Sequence, residues 1–171
     1  MFVDLKTDGS KTWPFVLNAL EPLRARGYLS HVVNGQFVEG PVTVIGTGNA
    51  PLADIKAAQN RDAFYDGPLT DLITENITVQ LSPIASASFK RQFGRIKDGN
   101  KFRNSTQLDE LRKQVKAAHA KGILARYWDL PNYPISLRNY IWQLLIDEGV
   151  DLLNVDDLED AAGFWEINGT V

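Results

Sequence analysis

Short apolar runs alternate along the chain with longer segments in which apolar residues recur every three or four positions. Runs of the first kind predict buried strands, and segments of the second kind predict amphipathic helices. Repeated strand and helix units are typical of an α/β domain with a parallel sheet rather than of a β-sandwich or a helix bundle. The pattern therefore predicts the α/β class.

About six strands are expected, and the first begins at residue 1 without any lead-in, which is rare for the start of a domain. The predicted strands cover residues 2–6, 42–45, 63–65, 83–89, 123–128 and 150–155. The pair Asn34-Gly35 lies between two apolar alternations and predicts a hairpin that decorates this pattern. An eight-stranded barrel of such units needs about 250 residues. The 171 residues present correspond to about six units.

The strongest helix signal lies between two of these strands. Apolar residues recur there at spacings of three and four, at Leu108, Leu111, Val115 and Ala118. Ser105 or Thr106 is the expected cap of this helix, and Gly122 is expected to end it. For the first helix of the chain, the expected cap is Thr12, which places Pro14 in the first turn.

Composition narrows the class of protein. With 44% hydrophobic residues the chain can bury an ordinary core, so a globular domain is expected. The net charge is -3, from 21 acidic and 18 basic residues without long runs of one sign, which argues against a nucleic-acid partner. The chain has no cysteine and no stretch approaching the roughly 18 apolar residues of a spanning helix. Neither the compartment nor a partner follows from these numbers.

Polar side chains gather toward the carboxyl ends of four predicted strands. Alternate positions of a strand share a face, and parallel strands build their sites at their carboxyl ends. The residues concerned are Asp4 and Lys6, Ser86 and Ser88, Arg126 and Trp128, and Asn154 and Asp156. If the strands are parallel, these side chains are expected to line one mouth.

The chemistry of this set indicates a metal-assisted phosphate site. Carboxylates such as Asp4 bind a hard cation such as Mg²⁺, while Lys6 and Arg126 suit phosphate oxygens. The indole of Trp128 suits an apolar or cationic head group. The alternative is that these are solvated strand ends paired in local salt bridges, and the pattern alone leaves both interpretations open.

Two other residue patterns, a pair of glycines and a pair of histidines, give little evidence for a function. Gly46-x-Gly48 follows an apolar run, but the third glycine of a dinucleotide fingerprint is replaced by Pro51, so we interpret the segment as a strand-to-helix loop. An open-sheet nucleotide binder is therefore disfavoured. His31 and His119 are not spaced with a second ligand or a nucleophile, and we interpret both as surface or packing residues.

Five segments resemble a known family along nearly the whole chain. They read FVDLKTDGSKTWPFVLNALEPLR, PVTVIGTGN, SPIASASFK, VKAAHAKGILARYWDLPNYP and GVDLLNVDDLEDA. They resemble the fungal family of altered inheritance of mitochondria protein 6. That family lies in the superfamily of phospholipase-C-like phosphodiesterases with a TIM barrel, alongside glycerophosphodiester phosphodiesterases and sphingomyelinase D.

The resemblance implies roles for individual residues. VDLKT resembles the third barrel strand, so Asp4 is expected to bind the metal and Lys6, as the catalytic lysine, to contact the phosphate. ARYWD resembles the seventh strand, whose tryptophan lines the substrate pocket, here Trp128. LLNVDD resembles the eighth strand and places Asp156 at the mouth. The acidic residue that follows the tryptophan in sphingomyelinase D has no clean counterpart in this chain, and Asp129 is the one candidate for it.

The resemblance also implies missing parts, because the two catalytic histidines and a Glu-x-Asp pair of this superfamily come from the first two strands. Residues 1–171 are thus expected to be one incomplete TIM (β/α)8 barrel, strands three to eight, lacking two βα units. In full length the protein is expected to hydrolyse a glycerophosphodiester or a phospholipid head-group phosphodiester in lipid metabolism. The chain alone is expected to be inactive and to self-associate through the open barrel edge. The alternative is a noncatalytic pseudoenzyme or binding module that uses the same mouth.

Overall fold

The computed structural model describes residues 1–72, 74–97, 102–103 and 105–168, the last four by their backbone. The chain divides into two compact units. The first consists of Met1–Ala85 with Lys121–Ile123, and the second of Ser86–Ala120 with Leu124–Val171. The expectation of a single barrel domain over 1–171 stays a prediction.

The first unit is built on a parallel sheet with the strand order β1-β4-β5. Its strands are β1 (Phe2–Leu5), β2 (His31–Val33), β3 (Gln36–Val38), β4 (Ile45–Gly48), β5 (Phe64–Tyr65) and β6 (Gly67–Pro68). Its helices are α1 (Gly9–Ala19), α2 (Glu21–Arg24) and α3 (Leu52–Ala57). β2 and β3 form the predicted antiparallel hairpin, which turns at Asn34 and Gly35 with φ values of 51° and 74°. Two positive φ angles are what a tight hairpin turn requires.

The second unit contains strands in the order β7-β8-β9, of which β8 and β9 are parallel. The strands are β7 (Ile84–Ser88), which begins in the first unit, β8 (Leu124–Trp128) and β9 (Leu152–Leu153). The helices are α4 (Phe89–Phe93), α5 (Thr106–His119), α6 (Ile135–Asp147) and α7 (Leu158–Asn168). The apolar residues that predicted α5 are buried, at Leu108, Leu111, Val115 and Ala118.

An aromatic cluster forms the centre of the second unit. The rings of Phe89, Phe93, Phe102 and Tyr127 lie 4.9–6.2 Å apart between centroids, mostly tilted or edge-on. The Tyr127 hydroxyl donates a 2.6 Å hydrogen bond to Oε1 of Gln114, which satisfies the polar end of a buried ring. Burial and the charge of Glu110 raise the pKa of Tyr127, so the phenol stays protonated.

The first helix begins earlier than the sequence indicated. Its cap is Asp8, whose Oδ1 accepts a 3.2 Å hydrogen bond from the Lys11 amide, and the expectation of Thr12 as cap is wrong. Thr12 lies inside the first turn, where its hydroxyl bonds Oγ1 of Thr7 at 2.7 Å. Consequently Pro14 lies in the helix interior rather than in the first turn. Asp and Thr are both good caps, and the chain uses the one that comes first.

Two strand predictions need correction. The second strand is Ile45–Gly48 rather than 42–45, because Val42 pairs with the loop before the hairpin through its amide to the Tyr28 carbonyl at 2.9 Å. The last strand is Leu152–Leu153 rather than 150–155, since the Val150 amide still bonds the Leu145 carbonyl of α6 at 2.9 Å. The short elements α4 and β6 were not predicted.

The predicted α/β class with parallel strands is confirmed. The incomplete TIM barrel stays a prediction. Within the ranges that the structure describes, no helix is long and apolar enough to cross a bilayer.

The Arg112–Glu148 ion pair predicts a pH-dependent part of the stability. Arg112 on α5 donates from Nε at 2.7 Å and from Nη2 at 2.8 Å to the Glu148 carboxylate, which follows α6. These hydrogen bonds lower the pKa of Glu148 below its usual value of 4.5, so their stabilisation is fully present above that value and is lost as pH falls through the lowered one. Glu148→Gln should therefore unfold at lower denaturant concentration than the parent at neutral pH, and the difference should shrink in acid.

The measurement is urea unfolding between about pH 7 and about pH 3. Exposed Glu39 provides the matched control, because Glu39→Gln removes a carboxylate without touching this pair. A difference between parent and Glu148→Gln that stays constant over the whole range would contradict the assignment.

Candidate functional site

Asp4 and Lys6 lie at the carboxyl end of β1 and form an ion pair. Lys6 Nζ is 2.6 Å from Asp4 Oδ2, as expected for residues two apart on one face of a strand. The side chains are 81% and 47% exposed for Lys6 and Asp4, respectively. The sequence thus placed both groups correctly at a strand end, and their charges are in contact with water.

Two glycines of β4 let the neighbouring elements approach closely. A Cβ on Gly48, whose φ is +67°, would lie 2.3 Å from Asp4 Oδ1 and 2.6 Å from the Leu5 carbonyl oxygen. A Cβ on Gly46 would lie 2.8 Å from Cζ3 of Trp13 on α1. The Gly-x-Gly pattern is therefore part of the strand and serves packing. Its interpretation as a loop after the strand was wrong, and nothing in this arrangement favours a nucleotide site.

The loop after β4 fixes the backbone around the ion pair. The Asn49 amide donates to the Leu5 carbonyl at 2.8 Å, and Asn49 Nδ2 donates to the Thr7 carbonyl at 3.0 Å. The backbone of Gly9 passes so close that a Cβ there would lie 1.7 Å from the Asn49 carbonyl oxygen. The backbone on both sides of Lys6 is thus held in place, while the Lys6 side chain extends into solvent.

In the second unit, Arg126 on β8 is held between the two neighbouring strands. Its Nη1 donates to Oγ of Ser86 on β7 at 3.1 Å, and its Nη2 donates to Oδ1 of Asn154, just after β9. The hydroxyl and the amide both carry no net charge. Together they orient the half-buried guanidinium between β7 and the segment that follows β9.

Ser88 is buried and its hydroxyl serves two hydrogen bonds. Ser88 Oγ accepts from the Arg91 amide at 3.2 Å, which caps α4, and donates to Asp129 Oδ2 at 3.0 Å. Asp129 directly follows β8 with φ of +58°, a region that residues other than glycine seldom occupy. Trp128 is 38% exposed, and Asp156 is also exposed.

The structure brings some of the predicted residues together. Asp4 contacts Lys6, Arg126 contacts Ser86 and Asn154, and Ser88 contacts Asp129. The expectation that all of them line one mouth stays a prediction. The sequence assigned no definite function to Asp129. Its position, as an acidic residue directly after a strand, is the feature that pointed to the site.

Asp66 was overlooked in the sequence. It directly follows β5, and its amide donates to the Gly46 carbonyl at 2.9 Å, so it lies at the same edge of the sheet as Lys6. Burial, together with the charges of Glu75 and Asp66, raises the pKa of Tyr65. The carboxyl edge of the first sheet therefore carries a second acidic residue beside Asp4.

The side chains that the structure describes do not by themselves fit a complete Mg²⁺ site. Among the described residues, no three His, Cys, Asp or Glu side chains are grouped so that they could hold a metal ion. Mg²⁺ takes near-octahedral oxygen coordination, and Asp4 offers one carboxylate that already contacts Lys6. Neither His31 nor His119 lies at the carboxyl end of a strand. The first bonds the Leu29 carbonyl at 3.1 Å, and the second bonds Asp151 at 2.8 Å.

Comparison with known proteins confirms the resemblance deduced from the residues. Residues 1–66 match the AIM6-like phosphodiesterase domain. Altered inheritance of mitochondria protein 6 homolog of Arthroderma benhamiae is 50% identical over 167 residues, which cover 96% of this chain and 52% of that protein. Altered inheritance of mitochondria protein 6 of Eremothecium gossypii is 32% identical over 180 residues, 96% of this chain and 46% of that protein.

The chain spans about half the length of these curated relatives. No solved structure matches it. The sequence similarity therefore covers nearly all of this chain, while the phosphodiesterase-like domain is recognised in its first 66 residues, which contain Asp4 and Lys6.

Replacing Gly48 should disturb the Asp4 position beyond the ordinary cost of a positive φ. Gly27 has nearly the same φ, +66° against +67°, but a Cβ there would meet nothing within 4 Å. Gly27→Ala should cost roughly 1–2 kcal/mol of unfolding free energy from the backbone conformation. Gly48→Ala should cost roughly 1–3 kcal/mol more, because the Leu5 carbonyl cannot move away without shifting β1.

Chemical denaturation of the two variants measures this difference, and the amide NMR shifts of Asp4 and Leu5 report the displacement. Equal losses of stability with unchanged β1 shifts would show that Gly48 is not needed for the close approach of Asp4.

Proposed function

We propose that this chain carries part of a phospholipase-C-like phosphodiesterase that hydrolyses a glycerophosphodiester or the head-group phosphodiester of a phospholipid. The observation that carries the proposal is the Asp4–Lys6 pair at the carboxyl end of β1. It lies within the 66 residues that match the phosphodiesterase-like domain. Carboxyl ends of parallel strands are where α/β barrels build their sites.

The proposed roles follow from the chemistry of each group. Lys6, the proposed catalytic residue, balances charge that develops on the phosphate oxygens. Arg126 is a second phosphate contact, since its guanidinium is already oriented by Ser86 and Asn154. The half-exposed indole of Trp128 covers the head group, and Ser88 and Asp156 are the further proposed substrate contacts.

Asp4 is the one ligand that we propose for Mg²⁺. One carboxylate and a lysine do not complete the coordination of this cation, so the other oxygen ligands have to come from groups outside this set. A divalent metal in such sites polarises a phosphoryl oxygen. The chain's own contribution is then to hold a carboxylate and an ammonium next to each other on a fixed strand end.

For the fold we propose an incomplete barrel in which the six parallel strands β1, β4, β5, β7, β8 and β9 correspond to strands three to eight. Barrel interiors are filled by layers of side chains. In this chain Phe2 on β1 and Leu124 on β8 are 37% and 41% exposed. Exposed apolar positions on strands are consistent with faces that further barrel elements cover.

The first test of the function is activity with and without an amino-terminal extension of the chain. We expect no Mg²⁺-dependent cleavage of a lysophospholipid or a glycerophosphodiester by the 171 residues, because no described histidine is positioned to move protons. General acid and base catalysis commonly contributes about 10² to 10⁴ in rate. A protein extended to the length of the relatives should cleave, and Asp4→Asn or Lys6→Ala in it should abolish turnover.

Asp8→Asn is the matched control in the extended protein, since Asp8 caps α1 and Asn caps helices equally well. It should keep full activity. Activity of the 171-residue chain that survives Asp4→Asn would refute the metal assignment.

The second candidate function is a noncatalytic binding module that uses the same mouth. It is favoured by the fact that Asp4 and Lys6 neutralise each other and that both histidines are engaged elsewhere. An extended protein that binds glycerophosphodiesters in calorimetry but cleaves none of them would establish this alternative.

Self-association of the isolated chain is a further prediction. Among the described strands β1 lies at the edge of its sheet, and open strand edges favour pairing between copies of the chain. Sedimentation at micromolar concentration should show oligomers, and Phe2→Lys on this edge should reduce them. Phe15→Lys is the control, because Phe15 is 75% exposed on a helix rather than on a strand edge. A well-folded monomer of the parent chain would contradict the prediction.

A further inference from the structure

The first unit contains a cavity of about 570 Å³ that is separate from the strand ends described above. It lies between α1, α3 and the β2–β3 hairpin, and Trp13, Val32 and Ile55 supply apolar wall from these three elements. Ala63, which also lines it, directly precedes β5. The cavity is thus at the amino end of β5, whereas Asp4 and Lys6 lie at the carboxyl end of β1, which runs in the same direction.

One charged pair in the cavity wall is internally neutralised. Arg24 donates to Asp62 from Nε and, at 3.1 Å, from Nη2, and also to Glu21 at 2.5 Å. These hydrogen bonds raise the pKa of Arg24. Arg24 and Asp62 therefore form a fixed polar strip that leaves no net charge for a ligand.

The second arginine of the wall, Arg61, is bound differently. Its Nε donates to the Ala58 carbonyl at 2.7 Å, its Nη1 to the Gln80 carbonyl at 2.8 Å, and its Nη2 to the Lys56 carbonyl at 3.4 Å. Three of its five N–H groups are thus used, all by uncharged acceptors, and no carboxylate in the described part of the chain pairs with it. Burial lowers the pKa of Arg61, which reflects a charge that is poorly solvated.

A second, polar cavity of about 580 Å³ adjoins the first, and both share Val32, Asn60 and Arg61 as lining. Among the described residues, the second cavity is lined mainly by side-chain amides such as Gln59, with the Thr78 hydroxyl and Lys56, and by no acidic residue. Arg61 accordingly lies at the boundary between an apolar compartment and a polar one. A molecule with an apolar part and a polar head group could therefore place its head group at Arg61 and its apolar part in the apolar cavity.

We propose that the apolar cavity is a binding site for a small amphipathic monoanion, whose alkyl chain packs against Trp13, Val32 and Ile55 and whose head group pairs with Arg61. The volume lies within the roughly 300–1,000 Å³ of ordinary ligand sites, and such sites combine apolar walls with a few orienting polar groups. Two arginines and one aspartate give the wall one net positive charge when His31 is neutral. This charge suits a single carboxylate, or the singly ionised form of a phosphate monoester, on a medium-length chain.

The test is calorimetric titration of the folded 171-residue chain with decanoate, decanol, decyl phosphate and acetate. Decanoate should bind at one site and at least about tenfold more tightly than decanol, which lacks the charge, and acetate should not bind. Comparing decanoate with decyl phosphate shows whether the site prefers a carboxylate or a phosphate head group. Amide NMR shifts of Val32 and Ile55 should change on binding.

Two pairs of variants make the result specific. Ala58→Trp fills the cavity that Ala58 lines and should abolish binding, whereas Ala57→Trp, on the adjacent residue outside the lining, should not. Arg61→Gln should remove the preference for decanoate over decanol, and Arg61→Lys should retain it. Because Arg61 also holds backbone carbonyls, the ratio of the two affinities is the readout rather than either affinity alone.

Absence of decanoate binding, equal affinities for decanoate and decanol, or equal effects of Ala58→Trp and Ala57→Trp would each overturn the proposal. None of these measurements involves phosphodiester cleavage, so the outcome is independent of the function proposed for the strand ends.

Discussion

The close approach of β1, β4 and α1 at two glycines is the constraint on which the first unit depends. Gly46 leaves room for the Trp13 indole, which is only 5% exposed, so α1 packs directly on β4. Gly48 leaves room for the Asp4 carboxylate and the Leu5 carbonyl in the same strand pair. A side chain at either position would separate elements that now touch. Two positions of one strand therefore set both features, because Gly48 faces the Asp4 carboxylate and Gly46 faces Trp13, which lines the apolar cavity.

The sequence predicted much of this arrangement because side-chain alternation in strands depends only on backbone geometry. Asp4 and Lys6 share a face, and Arg126 lies on the exposed face of β8 while Tyr127 is fully buried. Boundaries were less predictable, because they depend on contacts between distant residues. Val42 pairs with Tyr28, 14 positions earlier, and so does not join the main sheet where its pattern indicated.

The role of Gly46 and Gly48 could not be predicted from the neighbouring sequence alone. A Gly-x-Gly pattern after an apolar run is compatible with a loop, a phosphate cradle or a crowded strand, and only the identity of the neighbouring atoms decides. Here the neighbours are the Trp13 ring, the Asp4 carboxylate and the Leu5 carbonyl, which come from elements far away in sequence. The partner of Ser88 was unpredictable for the same reason, since Asp129 lies 41 positions away.

Arginine serves three distinct roles in this chain, and the difference lies in its acceptors. Arg24 is matched by two carboxylates, Arg126 is oriented by a hydroxyl and an amide, and Arg61 is satisfied by backbone carbonyls. Carboxylate partners neutralise the charge, whereas uncharged partners orient the guanidinium and keep its net charge. A guanidinium that is oriented by uncharged acceptors and keeps its net charge is suited to anions, which is why Arg61, and not Arg24, enters the proposal for the apolar cavity.

The strand ends were interpreted either as a metal-assisted phosphate site or as solvated salt bridges, and the Asp4–Lys6 pair is compatible with both. A salt bridge between exposed side chains commonly contributes only about 0.2–1 kcal/mol, because water solvates both charges and the long lysine side chain loses entropy. Lys6 is 81% exposed, so separating the pair is inexpensive. A phosphodiester can then pair with the ammonium while the carboxylate turns to a divalent cation, which carries more charge than the ammonium it replaces. A local salt bridge in the isolated chain is thus compatible with a binding role, and the backbone that Asn49 and Gly48 hold in place keeps both groups at the same strand end.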